Sequence, residues 1–239
     1  MRLAGRIALI TGASRGIGAA IARTLAAEGA HVVLVARTHG GLEEVDDAIR
    51  AAGGTATLMP LDLVEYDKID RMGAAIFERW GKLDILVGNA ALLGGMGPVA
   101  HYRPEVFERT FALNVTANWR LIRSLDPLLR TSDAGRAVFL TSIAARIPRA
   151  YWGLYSASKV ALEMLVKTYA LEVEKTPLRV NLFNPNRTRT AMRAEAYPGE
   201  DPETIKTPDE AAVQLIPLVL LSCTRNGETL DATDKQVAS

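Results

Sequence analysis

A tyrosine and a lysine lie four positions apart in the segment Tyr155-Ser156-Ala157-Ser158-Lys159. If this segment is helical, that spacing places both side chains on one face, about one turn apart. A phenol has an unperturbed pKa near 10, so acid–base chemistry at neutral pH requires a shift of about three units. A lysine ammonium at about 4 Å, in an effective dielectric of about 20, supplies an interaction of that size. Taken alone, a tyrosine and a lysine at this spacing are equally typical of a helix surface without catalytic function.

Two further polar residues are candidates for the same chemistry. Ser142 directly follows an apolar run that predicts a buried strand, and in a doubly wound sheet the carboxyl ends of the strands bind ligands. Its hydroxyl can hold a substrate oxygen against Tyr155. Asn114 falls inside a long predicted helix, where a buried amide needs hydrogen-bond partners. The simpler interpretations are a cap for Ser142 and a satisfied core amide for Asn114.

A glycine-rich segment, Thr11-Gly12-Ala13-Ser14-Arg15-Gly16-Ile17-Gly18, comes directly after the first apolar run. Glycines allow a tight turn and a close approach to a pyrophosphate, whose charge is met by free N–H groups of the next helix. Because the segment lies between a predicted strand and a predicted helix, a nucleotide-binding loop is favoured over a plain turn. The loop residues predicted to contact the nucleotide are Gly12, Ser14, Arg15, Gly16, Ile17 and Gly18.

The end of the second predicted strand indicates which dinucleotide binds. An NAD site carries a carboxylate there for the adenosine ribose, whereas this chain has Ala36 followed by Arg37. Arg37, with Ser14 and Arg15, can pair with a 2′-phosphate through charge-assisted hydrogen bonds. The sequence therefore favours NADP(H), with NAD(H) as the second choice. The alternative is that both arginines are ordinary solvated residues.

The elements that position these residues alternate between short apolar runs and longer segments of helical period. Because the runs are apolar throughout, they predict parallel strands buried on both faces, and hence an α/β fold with a doubly wound parallel sheet of about seven strands. The predicted strands are Ile7–Thr11, His31–Ala36, Thr55–Leu61, Leu83–Gly88, Arg136–Thr141, Leu178–Phe183 and Glu228–Leu230. The predicted helices are Ile17–Glu28, Gly41–Ala51, Asp67–Trp80, Pro104–Leu129, Leu154–Glu174 and Pro208–Leu221.

Residues 1–239 are predicted to form a single domain, since no linker rich in proline, glycine or serine divides the chain. One segment, Asn184–Thr207, is polar and contains three prolines. It is longer than an ordinary connection between elements, so residues 186–207 are predicted to form a substrate lid.

The composition excludes several classes of protein. Hydrophobic residues make up 49% and charged residues 23%, which argues against disordered, collagen-like and coiled-coil chains. The net charge of +1 provides no field to attract nucleic acid or anionic lipid. Cys223 is the single cysteine, and no Cys/His cluster has metal-ligand spacing. The most apolar segment, Ala211–Cys223, is too short to span a membrane. We therefore expect a cytoplasmic protein without a metal site and without nucleic-acid or membrane partners.

In their order and spacing, these motifs resemble the short-chain dehydrogenase/reductase family in its common single-domain form, from Ile7 to about Leu230. The loop matches the family pattern T-G-x-x-x-G-x-G at Thr11, Gly12, Gly16 and Gly18. Asn114, Ser142, Tyr155 and Lys159 fall on the four positions of the family's catalytic tetrad. Agreement of all these motifs is far more specific than any one of them.

The resemblance implies a Rossmann-type oxidoreductase that transfers hydride between nicotinamide C4 and a carbonyl or secondary alcohol carbon. It assigns proton donation to Tyr155 and orientation of the substrate oxygen to Ser142. Lys159 would lower the pKa of Tyr155 and bind the nicotinamide ribose, and Asn114 would hold, through its backbone, a water that links Lys159 to solvent. Tyr155 and Lys159 therefore also count as cofactor contacts. By the same match, the remaining cofactor contacts are Asp62, Leu63, Asn89, Ala90, Pro185 and Thr190.

The chain departs from the family pattern at two loops. Gly88-Asn89-Ala90-Ala91 stands where the family has N-N-A-G, and Pro185-Asn186 stands where it has Pro-Gly. If the family glycine at Ala91 needs a positive φ, the methyl group is costly. Asn186 is the milder change, because asparagine tolerates left-handed geometry.

The sequence leaves the substrate open. Five arginines of the predicted loops favour an anionic or strongly polar substrate, whereas several apolar side chains suit an apolar pocket. The arginines are Arg146, Arg149, Arg187, Arg189 and Arg193, and the apolar residues are Leu92, Leu93, Met96 and Trp152. The arginines are equally compatible with solvated loop charges.

Two functions and one assembly are consistent with these motifs. The complete tetrad favours an oxidoreductase with a small-molecule carbonyl or alcohol substrate, and the alternative is a catalytically silent dinucleotide-binding sensor or scaffold. The long helices Pro104–Leu129 and Leu154–Glu174 carry more apolar residues than one sheet face needs. Since members of this family commonly pair these helices, we expect a homodimer or homotetramer.

Overall fold

Seven short segments form strands, and all seven join one sheet in the computed structural model, which describes residues 1–234. The strands are β1 (Ile7–Thr11), β2 (His31–Ala36), β3 (Thr55–Pro60), β4 (Ile85–Gly88), β5 (Arg136–Leu140), β6 (Arg179–Asn184) and β7 (Thr229–Asp231). Their order is β3-β2-β1-β4-β5-β6-β7, and every neighbouring pair is parallel. This confirms the predicted doubly wound parallel sheet of Rossmann type.

Helices connect successive strands. Within residues 1–234 the α-helices are α1 (Gly16–Ala27), α2 (His39–Ala51), α3 (Tyr66–Trp80), α4 (Pro104–Phe111), α5 (Ala117–Thr131), α6 (Gly153–Glu172), α7 (Ala191–Ala196) and α8 (Pro208–Leu215). In this part of the chain, no helix combines the length and the apolar character that a membrane crossing requires.

The core has two layers, one on each face of the sheet. On one face of the sheet, helices α1, α2 and α8 pack against Ala8 and Ile10 of β1. On the other face, helices α3, α5 and α6 pack against Ile7 and Leu9. Burying one such aliphatic side chain contributes about 1.5–3 kcal/mol, so the apolar residues of β1 hold both layers in place. The edge strand β3 differs from the prediction, because it has a neighbour on one side only and is partly exposed.

The helix predicted over Pro104–Leu129 is wrong as a single element. It consists of α4, a π-helical turn over Ala112–Thr116, and α5. The π turn arises because the backbone N–H of Ala117 donates to the carbonyl of Ala112, five residues earlier. Such a turn inserts one residue into a helix and rotates the next residues about its axis, which hydrophobic periodicity does not reveal.

The last predicted helix is also too long. Helix α8 ends at Leu215, a 3₁₀ turn over Ile216–Leu218 follows, and the last three residues of the predicted segment Pro208–Leu221 are not helical. Pro217 explains the end, since proline has no N–H to donate and its ring clashes with the preceding turn. The other predicted strands and helices agree with the structure to within two residues at each end.

The segment 186–207 contains helix α7 and a 3₁₀ turn over Pro202–Thr204. Its two ends meet in a parallel bridge between Thr188 and Lys206. Lys206 is buried, and its ammonium donates to the carbonyl of Thr233 over 2.9 Å and pairs with Asp234 at 3.2 Å. The base of the segment is therefore fixed to the residues that come after β7.

Candidate active site

The order of the strands reverses between β1 and β4, and a cavity of about 1160 Å³ opens at the carboxyl ends of the strands there. Ligands of doubly wound sheets bind at this point. Most of the residues predicted as cofactor-binding or catalytic line the cavity. They are Gly12, Ser14, Arg15, Gly16, Ile17, Arg37, Asp62, Leu63, Asn89, Ala90, Ser142, Tyr155, Lys159, Pro185 and Thr190. Gly18 and Asn114 do not line it and lie behind its walls.

The glycine loop forms a cradle between β1 and α1. Gly12 and Gly16 have φ values of 65° and 57°, in the left-handed region that favours glycine. A Cβ atom on Gly18 would lie 2.2 Å from the carbonyl oxygen of Gly12, so only glycine allows α1 to approach β1 this closely. No acidic residue lies in the first turn of α1, and Gly16 and Ile17 of that turn line the cavity. The cradle therefore fits a pyrophosphate.

The loop after β4 is bound to the glycine loop. The backbone N–H groups of Asn89 and Ala90 donate to the Thr11 hydroxyl oxygen over 2.9 and 3.1 Å, and Asn89 Nδ2 donates to the Thr11 carbonyl over 2.8 Å. Of the departures from the family pattern, Gly88 is explained by close packing, since a Cβ atom there would lie 2.3 Å from the ring of Phe139.

The other two departures concern backbone conformation. Ala91 is not among the non-glycine residues with positive φ, so its methyl group causes no backbone strain. Asn186 has a φ of 53°, the left-handed conformation that asparagine tolerates. Its Nδ2 donates to the carbonyl of Ala232, which fixes the turn after β6.

Arginines gather at the end of the cavity beyond β2 and β3. Arg37 lies 3.9 Å from Asp62, and Arg109 of α4 lies 3.5 Å from the same carboxylate. Arg15 is exposed at the glycine loop. Two arginines thus lie beside one aspartate, and Arg15 lines the same cavity from the glycine loop. The sequence reasoning missed Arg109, whose only signal is its position five residues before Asn114 on the same predicted helix.

Tyr155, Ser142 and Lys159 meet on the other side of the cavity. Tyr155 and Lys159 are buried on α6, and the Lys159 Nζ lies 5.7 Å from the centre of the Tyr155 ring. Ser142 follows β5 by two residues, and its hydroxyl oxygen accepts from the backbone N–H of Ala144 over 3.2 Å. The Lys159 ammonium also donates to the carbonyl of Leu140 over 2.8 Å, which fixes it beside β5.

Burial is the main cause of the pKa shifts of Tyr155 and Lys159 on α6. It raises the pKa of Tyr155 to about 12, while the Ser142 hydroxyl acts in the opposite direction. It lowers the pKa of Lys159 to about 8, against the attraction of Glu163. Lys159 is not among the causes of this shift, so the lowering of the Tyr155 pKa by Lys159 stays a prediction. Glu163, which accepts a hydrogen bond from Thr141 over 2.7 Å, is a second residue that sequence reasoning missed.

Within residues 1–234, Asn114 makes no hydrogen bond to Tyr155 or Lys159. Its side-chain oxygen accepts from the Leu92 N–H over 2.8 Å, and its amide group donates to the Leu92 carbonyl over 2.9 Å. Its backbone carbonyl accepts from Asn118 Nδ2 over 2.9 Å. The residue therefore supports the wall of the cavity beneath the loop after β4.

The wall next to Tyr155 is apolar. Leu93, Ala144 and Tyr155 form a buried cluster, against which Trp152 and Met192 pack. Of the four apolar residues predicted for a pocket, Leu92, Leu93 and Trp152 line the cavity, whereas Met96 does not.

This chain belongs to the short-chain dehydrogenase family, whose sequence profile matches residues 6–201. It is 39% identical over 235 residues to the uncharacterized oxidoreductase YciK of Escherichia coli, which covers 95% of this chain and 91% of that protein. It is 36% identical over 197 residues to 2,3-dihydro-2,3-dihydroxybenzoate dehydrogenase of Bacillus subtilis, covering 82% of this chain and 75% of that one.

Solved structures agree with this assignment. A short-chain dehydrogenase from Shigella flexneri complexed with NADP superposes with a TM-score of 0.93 at 39% identity, covering 97% of this chain and 98% of that one. A short-chain dehydrogenase from Escherichia coli complexed with NADPH gives a TM-score of 0.91 at 39% identity, with the same coverage. The protein is thus an oxidoreductase of this family, whose members use nicotinamide cofactors and act on small molecules at CH–OH or C=O groups.

Proposed function

We propose that this protein is an NADP(H)-dependent oxidoreductase that interconverts a carbonyl compound and a secondary alcohol, with Tyr155 as the acid–base group. One observation carries the proposal: Tyr155, Ser142 and Lys159 share a cavity with the glycine loop and the arginines near β2. A dinucleotide held by that loop and a substrate oxygen at the tyrosine would therefore occupy one continuous site.

The residues around the cavity suit NADP(H). The glycine loop would hold the pyrophosphate, and Arg15 and Arg37 would pair with the 2′-phosphate. Lys159 would bind the nicotinamide ribose. The further contacts would come from Ser14, Asp62, Leu63, Asn89, Ala90, Pro185 and Thr190. The relatives from Shigella flexneri and Escherichia coli that hold NADP and NADPH support this choice. When bound, the cofactor supplies or accepts the hydride.

The protein's own groups supply the proton. Burial keeps the Tyr155 phenol protonated at neutral pH, which is the form that donates to a carbonyl oxygen. Turnover further requires that the pKa of Tyr155 be lowered from about 12, and the neighbouring Lys159 ammonium would act in that direction. The Ser142 hydroxyl stabilises the charge that develops on that oxygen. With a pKa of about 8, Lys159 exchanges its proton near neutral pH and can restore the proton of Tyr155. A protonated Tyr155 is the state that reduction of a carbonyl requires.

The test is a screen with NADPH and NADH against ketones, aldehydes, sugars, acyl-thioester ketones and secondary alcohols. Tyr155→Phe should lower turnover by at least about 10²-fold, the scale of general acid catalysis, and leave NADPH binding nearly unchanged. Tyr169→Phe is the matched control, because it removes another buried phenol hydroxyl from α6 that bonds to Asp126 outside the cavity. Wild-type protein that binds NADPH but turns over no substrate would instead indicate the sensor or scaffold.

Three further properties belong to this proposal. Residues 186–207 act as a lid on a single domain, since Thr188 to Met192 line the cavity. The protein works in the cytoplasm.

The protein forms a homodimer or homotetramer through α5 and α6. Trp119 is exposed on α5, and Val160, Met164 and Leu171 form one exposed stripe at helical spacing on α6. A monomeric sedimentation profile at micromolar concentration would contradict the assembly.

A further inference from the structure

The arginines near the lid are already neutralised, with one exception. Arg193 makes a two-pronged ion pair with Glu200, and Arg187 lies 3.6 Å from the same carboxylate. Arg189 pairs with Glu203. These three guanidinium groups therefore offer little net charge to a substrate, although all three line the cavity. Arg146, the fourth, is held by two hydrogen bonds to Asp231.

Arg149 is the exception. Its Nη1 donates to the hydroxyl of Tyr197 over 2.8 Å, and among residues 1–234 no carboxylate lies within 4.0 Å of it. A neutral phenol is a weak partner for a guanidinium, whose strong hydrogen bonds go to carboxylates and phosphates. Arg149 is exposed and lines the cavity, so its charge is available there. Arg15 also lacks a carboxylate partner in the described residues, but it lies at the glycine loop, where the 2′-phosphate would satisfy it.

Tyr197 is held in a fixed position beneath Arg149. The Arg193 guanidinium stacks 3.7 Å from the centre of the Tyr197 ring while its own fork is bound to Glu200. The hydrogen bond to this hydroxyl holds the Arg149 guanidinium next to Tyr197 in the cavity wall.

An aromatic wall joins Arg149 to the reacting group. The Trp152 ring lies 5.7 Å from the Tyr197 ring on one side and 6.0 Å from the Tyr155 ring on the other. Leu93 and Met192 extend this apolar surface. A molecule that reaches from Tyr155 to Arg149 therefore needs a polar group at each end and an apolar or aromatic body between them.

We infer that the substrate is an apolar, aryl-bearing ketone or secondary alcohol with a carboxylate at the end remote from the reacting carbon, and that Arg149 binds that carboxylate. The reacting oxygen lies at Tyr155, the body lies along Trp152, and the carboxylate replaces or joins Tyr197 as a partner of Arg149. This inference rests on the proposed function, because it takes Tyr155 as the place of reaction. It makes Arg149 the residue that determines specificity.

The test uses 4-acetylphenylalkanoic acids of increasing alkyl length, each paired with its neutral primary amide, and NADPH. The wild type should prefer the acid at one chain length, and Arg149→Gln should lower the acid-to-amide ratio of kcat/KM by about tenfold or more. Arg149→Lys, which keeps the charge without the fork, should recover part of the loss. Arg189→Gln is the matched control, since its guanidinium also lines the cavity but is paired with Glu203. An acid-to-amide ratio near one at every chain length, or an equal loss in Arg189→Gln, would overturn the inference.

Binding separates this inference from the proposed function. Calorimetric titration of the Tyr155→Phe protein with NADPH present measures recognition of the acid without turnover. Binding that prefers the acid and is weakened by Arg149→Gln supports the inference even if the wild type turns over neither these acids nor any compound of the wider screen, an outcome that would sink only the proposed function. Turnover without a preference for the acid supports the proposed function and rejects the inference. Absence of acid binding, together with absence of turnover across the wider screen, rejects both.

Discussion

Asn114 donates from its side-chain Nδ2 to the hydroxyl oxygen of Ser158 over 2.9 Å, and so joins the π-helical turn to α6. The Ser158 hydroxyl in turn donates to the backbone carbonyl of Tyr155 over 2.8 Å. Together with the two hydrogen bonds between Asn114 and Leu92, these contacts connect the backbone of Tyr155 to the loop after β4. Asn114 is therefore a positioning residue in this structure.

Replacing Ser158 should destabilise the protein. Ser158→Ala leaves one N–H of the buried Asn114 amide without a partner, so the free energy of unfolding should fall by about 1–3 kcal/mol in urea denaturation. Ser156→Ala is the control on the same helix, because the buried Ser156 hydroxyl has no hydrogen-bond partner among the described residues. That substitution should cost less than about 0.5 kcal/mol. Equal losses in the two variants would refute the link.

Removing the charge of Lys159 should stabilise the protein without cofactor. Burial lowers the pKa of Lys159 from 10.5 to about 8, so the folded chain binds this proton less tightly than the unfolded chain. The penalty is complete below the folded pKa and disappears as pH rises from about 8 toward 10.5. Lys159→Met should therefore raise the free energy of unfolding at neutral pH by about 1–3 kcal/mol.

The measurement is urea denaturation at a series of pH values in the absence of NADPH. The advantage of Lys159→Met should shrink as pH approaches the ordinary lysine pKa. Lys175→Met, at an exposed position beyond α6, should change stability by less than about 0.5 kcal/mol throughout. A Lys159→Met protein less stable than the wild type at neutral pH would show that the bond to the Leu140 carbonyl outweighs the desolvation of the ammonium.

A methyl group at Gly18 should damage the glycine loop. In Gly18→Ala the new Cβ would lie 2.2 Å from the Gly12 carbonyl oxygen and 2.5 Å from Asn89 Nδ2, so α1 must move away from β1. We expect a loss of stability of about 1–3 kcal/mol and weaker NADPH binding in a fluorescence titration. Gly40→Ala is the control, because its nearest atom lies 4.0 Å away within α2, and helix propensity should make it neutral or slightly stabilising. Normal NADPH binding by Gly18→Ala would reject the cradle.

Loss of the Arg37 side chain should discriminate between the two cofactors. Arg37 is largely exposed and its nearest carboxylate, Asp62, is 3.9 Å away, so it is free to pair with a 2′-phosphate. In Arg37→Gln the Kd for NADPH should rise about tenfold or more while the Kd for NADH changes little. Arg23→Gln, at an exposed position of α1 paired with Asp209, should affect neither. Equal weakening of both cofactors would contradict the phosphate role.

Local sequence patterns predicted the elements and most of the cavity. The apolar runs determine the strands because burial on both faces requires them, and the spacing of Tyr155 and Lys159 places both on one face of α6. The features that could not be predicted depend on contacts between distant segments. The position of Arg109 at Asp62, the π turn at Asn114 and the pKa of Tyr155 all depend on how α4, α5 and α6 pack, which no local periodicity encodes.

Strand β1 lies inside the sheet, between β2 and β4, and the chain supplies β4 much later than β2. Thr11 at its end receives the hydrogen bonds of Asn89 and Ala90, so the glycine loop is complete only when residues beyond β4 are in place. During synthesis on the ribosome, a nascent chain that contains only the first three strands has no finished dinucleotide site. Cofactor therefore cannot assist the earliest stage of folding, and its stabilising effect begins only after the non-local pairing of β1 with β4.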